Sequence, residues 1–157
     1  MQLTNQIATQ FKQVHYGGNW TGVNLKDTLD GVTWQQATTK VSSLNTIAAL
    51  VFHINYYVTA ILAVLRKEQL TAHDKYSFDH PPIQSQGDWD KLLNKTWTDA
   101  NDLISLVEQL PDSKLEETFV VEKYGNYYRN FQGVIQHTHY HLGQIVLIKK
   151  MIVAKEE

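Results

Sequence analysis

Of the seven histidines in this chain, four stand where imidazole chemistry can be argued: His53, His137, His139 and His141. Neutral imidazole is a common metal ligand and titrates near physiological pH. Residues four apart on an α-helix share a face, whereas residues two apart do not. His137 and His141 are therefore ~40° apart around the axis and can hold one ion together, while His139 points ~160° to 200° away from either. Taken alone, His53 reads as a core histidine hydrogen-bonded to a neighbour, and a lone i, i+4 pair is a weak metal signal. Taken together they say more, because three buried imidazoles need partners for their ring nitrogens and one divalent cation serves all three.

Familiar alternatives fail on particular residues. Leu50, Val134 and Thr138 stand three positions before His53, His137 and His141, so the Glu-x-x-His element of a di-iron carboxylate bundle is missing. Thr138 occupies the place where a zincin carries its general base. The run His137-Thr-His-Tyr-His141 also alternates like a strand, as in histidine-triad nucleotide hydrolases. However, the apolar stripe around it continues at helical spacing to Ile152, and Thr138 is not the apolar residue of that motif. The chain has no cysteine, so it carries no disulfide and no nucleophilic sulfur, and any thiol chemistry must import its thiol.

Other residues carry less. Trp20, Tyr57, Tyr128 and Tyr140 are pocket candidates, although aromatics at helix ends and in loops usually pack. Arg129 lies two helical turns before His137 on roughly the same side, where it can face a substrate carboxylate or simply solvent. His15, His73 and His80 fall at a helix end or in a connection without a spacing argument. Glu116-Glu117 reads as solvated surface.

Positioning the histidines requires long helices, and the periodicity supplies four. Leu3, Ile7, Phe11 and Val14 define the first, which ends before Gly17-Gly18. Leu44, Ile47, Val51, Ile54, Val58, Ile61 and Leu65 define a second over residues 43–67, with His53 on the flank shared with Leu50 and Tyr57. A third spans 88–110, with Trp89, Leu93, Trp97, Ala100, Leu103, Ile104 and Val107 inward and Lys91, Lys95, Asp99, Asp102 and Glu108 outward, and Pro111 closes it. The last spans 130–154, with Phe131, Val134, Ile135, Leu142, Ile145, Ile148 and Ile152 as its stripe. His53 and the midpoint of His137 and His141 each lie ~15 Å into their helices, which makes them nearly level. The connections 17–42, 68–87 and 111–129 are too long for tight hairpins, and short helical turns are expected at 25–29 and 33–38. A long second connection allows helices two and three to run parallel.

Composition narrows the class. At 157 residues the chain is one domain, 1–157, with 43% hydrophobic and 19% charged residues, which excludes a disordered polymer. Fourteen Lys and Arg against 16 Asp and Glu, with basic residues no more than paired, exclude a phosphate-tracking nucleic-acid protein. Residues 41–65 lack charge and are long enough to span a bilayer. Asn45, His53 and Asn55 interrupt them, so a buried central helix is expected and no membrane partner. The first residues show neither the basic nor the apolar region of a secretory signal, which makes the cytoplasm the default location.

The helical His53, the run His137-Thr-His-Tyr-His141-Leu-Gly-Gln144, Trp20 and the segment Gly31-Val-Thr-Trp-Gln-Gln-Ala37 together resemble the DinB/YfiT-like superfamily, which is unrelated to the DNA polymerase sharing part of its name. The resemblance implies an all-α four-helix bundle of up-down-down-up order, often dimeric, with three histidines holding one divalent metal and one or more positions open. Members include S-transferases dependent on bacillithiol, with mycothiol or glutathione in related proteins, and others labelled metal-dependent hydrolases. On this basis His53, His137 and His141 are the expected ligands. Imidazoles suit zinc, nickel, copper or iron, with zinc and nickel foremost. The expected activity is transfer of a low-molecular-weight thiol, as cosubstrate, to a small electrophilic substrate. The alternatives are hydrolysis at the same site, or a metal-holding or structural bundle. A homodimer is expected from the resemblance and from Val146, Leu147 and Val153 flanking the last stripe.

Overall fold

Ile7, Phe11 and Val14 bring one buried stripe to helix α1, Leu3–Tyr16, and Gly17 at φ 108° ends it. Gln2 gives this helix no side-chain cap. Asp112, distant in sequence, accepts from the backbone N–H groups of Leu3 and Thr4 at 2.9 and 3.0 Å instead. Two short helices follow in the first connection: α2, Leu25–Leu29, capped by Asn24, and α3, Trp34–Thr38, which opens on a capping box between Thr33 and Gln36. The long helices α4, Ile47–Leu65, α5, Gln86–Glu108, and α6, Tyr127–Glu156, complete the bundle with α1. The computed structural model describes residues 2–156 and is all-α. Among these residues, extended pairing is limited to one isolated bridge between Thr118 and Asn126.

Caps explain where the boundaries depart from periodicity. The Thr46 hydroxyl accepts from the Ala49 N–H at 3.1 Å, so α4 starts at Ile47 and Leu44, expected in its seam, lies outside it and is 40% exposed. Ser85 caps α5 through the Asp88 N–H and starts it at Gln86. Asn126 accepts from the Arg129 N–H at 2.9 Å, and α6 begins three residues earlier than its stripe suggests.

The core divides into two apolar clusters. One joins Ile7 and Phe11 of α1, Val58 and Leu62 of α4, Leu103 and Val107 of α5, and Phe131 and Val134 of α6. The other joins Val14, Ile47, Val51, Trp89, Ile145 and Ile152 with Leu25, Leu29 and Ala37 of the short helices. The first halves of α1 and α6 thus meet the last halves of α4 and α5. With α4 and α5 side by side in the same sense, the crossing segment 66–85 must travel the length of the bundle. The helix α4 is long and apolar enough to cross a membrane, but here it is a core helix buried mainly against α5 and α6.

Between the clusters lies a polar layer. Asp99, expected on the outer face of α5, is buried, and its Oδ2 accepts from Asn55 Nδ2 at 2.8 Å, Thr59 Oγ1 at 2.8 Å and Lys95 Nζ at 2.7 Å. Asn55 thereby finds a partner inside an otherwise apolar helix. His15, which sits at the end of α1, is also fully buried. Its Nδ1–H donates to the Phe11 carbonyl at 2.9 Å, and burial lowers its pKa to about 4. Thr138, His53, His137 and His141 complete the layer on α4 and α6.

Candidate metal centre

His53 of α4 and His137 and His141 of α6 converge, each offering one ring nitrogen, with these atoms all within 4.8 Å of one another. His137 and His141 come from one face of α6 through their four-residue spacing, with ring centroids 4.5 Å apart. His53 meets them across the α4–α6 contact, its Nε2 lying 3.1 Å from Nε2 of His137. His139 leaves this face, as the helical geometry requires, and is half-buried elsewhere with its pKa lowered by desolvation.

Two of the rings are aimed from behind. The Nδ1–H of His53 donates to the Ser77 carbonyl at 3.2 Å, and that of His141 to Gln144 Oε1 at 2.6 Å. In the neutral tautomers these bonds assign, both Nε2 atoms present lone pairs, the arrangement by which outer partners orient metal-binding histidines. The Phe78 ring stacks on His53 with centroids 3.8 Å apart and planes 8° from parallel, and Tyr57 makes T-shaped contacts with both His53 and His137. Ser77 and Phe78 both belong to the crossing segment, so the connection imposed by parallel α4 and α5 also builds the back of the site.

Burial favours the neutral form of His53 and His137. The His137 pKa falls to about 4, first through desolvation and then through the neighbouring His141 and His53. Desolvation likewise lowers His53, partly offset by its bond to the Ser77 carbonyl. Protonating either ring would place a cation among imidazoles, whereas a divalent ion would use the lone pairs already directed inward. Nδ1 of His137 is buried without a hydrogen-bond partner, so this third ring has no orienting bond from behind and is held by its Nε2 contact with His53 and by its aromatic neighbours. The donor set fits a divalent cation: three imidazole nitrogens, with no other His, Cys, Asp or Glu grouped with them among the described residues.

A cavity of about 550 Å³ adjoins the centre, and of the three histidines His137 lines it. Tyr57 and Arg129 line it too, with the Tyr57 hydroxyl donating to Asp74 Oδ1 at 3.1 Å. Trp20 is fully exposed and absent from this lining, and Tyr128 and Tyr140 are 43% and 65% exposed, so the sequence-based grouping of these aromatics around one pocket does not hold beyond Tyr57. The residues that sequence reasoning missed are Ser77, Phe78 and Asp74. Ser77 acts through its backbone carbonyl, which no side-chain pattern reveals. Gln144 lay within the quoted run, and its three-residue spacing from His141 was a usable sign.

Neither a curated protein nor a solved structure matches the chain. A family model does match, described as the DinB superfamily, over residues 20–145, a span holding His53, His137, His141 and the crossing segment, and the chain belongs to that superfamily.

Proposed function

We propose that this protein is a metal-dependent S-transferase that joins a low-molecular-weight thiol to a small electrophile. The observation carrying this reading is a three-imidazole cluster, without a fourth protein ligand grouped with it among the described residues, whose His137 opens onto a cavity of about 550 Å³. Zinc or nickel bound by His53, His137 and His141 would supply Lewis acidity, lowering the pKa of a thiol, or of water in a hydrolase, at its open position. The residues themselves do the rest. The Ser77 carbonyl and Gln144 keep two ring lone pairs turned inward, Phe78 closes the back, and the cavity walls hold the electrophile close to the sulfur. In the transfer, the thiol's S–H bond breaks and an S–C bond forms, and the proton departs with the displaced group. The missing cysteine is consistent with a thiol brought by a cosubstrate.

Zinc-loaded protein incubated with bacillithiol, glutathione or coenzyme A and a simple alkylating electrophile should form the conjugate in a thiol-dependent way. The His141→Ala protein should not. Turnover of esters or amides without thiol would make the protein a hydrolase, and a closed coordination shell with no exchangeable ligand would remove both activities.

The same reading places a homodimer in the cytoplasm. Val146 packs inward against its cluster, but Leu147 and Val153 are 57% and 39% exposed on α6, Leu147 on the face that also carries Tyr140, and a second copy would cover them. Sedimentation at micromolar concentration should show twice the 18.1 kDa chain mass, and Leu147→Glu should return it to the monomer. A monomeric parent protein would refute the dimer.

A further inference from the structure

The cavity beside the metal centre has a second chemical end. Arg129, Gly133 and His137 all line it and are spaced four residues apart on α6, so they form one strip along the helix about 12 Å long. Gly133 leaves the middle of that strip without a side chain, and a Cβ placed there would meet nothing within 4 Å. Along the strip the walls are largely apolar, with Ile61, Leu70 and Val134 among them.

Arg129 is the one Lys or Arg among the described lining residues. Arg66, the chain's other arginine, pairs with Asp102 at 2.6 Å, but the Arg129 guanidinium has no hydrogen bond or ion pair among the described residues. Asp74, the carboxylate on the same wall, takes the Tyr57 hydroxyl instead. The stem of Arg129 is nevertheless seated. Gly125, at φ +74°, leaves the space it occupies, and a Cβ on Gly125 would come within 2.8 Å of Arg129 Cδ.

We propose that this cavity selects an elongated, anion-terminated molecule, with Arg129 binding its carboxylate and the opposite end reaching toward the cation that His137 would help to hold at the other end of the strip. Gly133 is the floor over which its apolar middle lies. The proposal deepens the functional reading above, because it takes the three histidines as the metal site, but it does not require that the reacting group be a thiol.

The test uses zinc-loaded protein and two probe series measured by calorimetry: ω-(imidazol-1-yl)alkanoates and the matching uncharged alkanols. An imidazole head binds any open zinc position, so these probes read the anion anchor whether or not thiol transfer occurs. Carboxylates long enough to span about 12 Å should bind at least about tenfold tighter than alkanols of the same length, whereas the shortest pairs should not differ. Arg129→Ala should erase the difference while leaving alkanol binding intact, and Arg129→Lys should keep part of it. Gly133→Leu should exclude the long probes and spare the shortest, without a lower melting temperature, because leucine is the better helix former. Equal binding of carboxylate and alkanol at every length, or a preference that survives Arg129→Ala, would overturn the anchor. No binding by either series would overturn the anchor and the open metal site together.

Discussion

Replacing His137 with alanine is expected to weaken zinc binding by more than about 100-fold, since loss of a partner merely supporting a ligand already weakens a site by about 10- to 100-fold. Stability provides a second readout. At free zinc about 1,000 times the dissociation constant, the intact protein should gain about 4 kcal/mol, which for a chain of this size raises the melting temperature by about 10 °C. The His137→Ala protein should show almost none of that shift. His139→Ala should retain it, because His139 faces away from the cluster. Loss of the shift on removing His139, with its retention on removing His137, would show that the ligands had been assigned to the wrong face.

A separate effect of similar size comes from His15, which lies outside the metal cluster. Its pKa is lowered to about 4, mainly by complete burial, against about 6.5 in an unfolded chain. Between these values the unfolded state binds a proton that the folded state refuses. The stabilising contribution is therefore complete above pH 6.5 and is lost as pH falls toward 4, to the extent of about 3 kcal/mol. His15→Leu should flatten that share of the acid limb in urea titrations run with a chelator. At pH 7 it should be neutral or stabilising, since it also removes Nε2, a buried nitrogen without a partner. Parallel stability curves for the two proteins between pH 7 and pH 4 would rule out His15 as the group responsible.

The helices were legible because their stripes must be buried, and even the short turns at 25–29 and 33–38 agree closely with α2 and α3. The three-histidine convergence was legible because helical spacing constrains direction. What periodicity missed has a common cause: it treats polarity as a guide to exposure. Asp99 looked like an outward residue, yet three donors, Asn55, Thr59 and Lys95, make its burial tolerable. His15 looked terminal, yet α2 and the bundle close over the end of α1. Leu44 looked like a core position until Thr46 began the helix after it. The support from Ser77 was out of reach because a backbone carbonyl has no sequence signature, and the stacking of Phe78 depends on where a long connection crosses.

The polar layer between the two apolar clusters has a consequence for cooperativity. Groups in such a layer are held by a few directed bonds, so it is a natural plane at which one half of a bundle can open while the other stays closed. The helix α6 passes through both clusters, and His137 and His141 sit on the stretch between them, opposite His53 at the corresponding point of α4. An ion bound there couples the halves, because local unfolding on either side must release it. Loaded, the two ends would exchange their amide protons as one unit with a common protection free energy; without the ion, each end would open on its own.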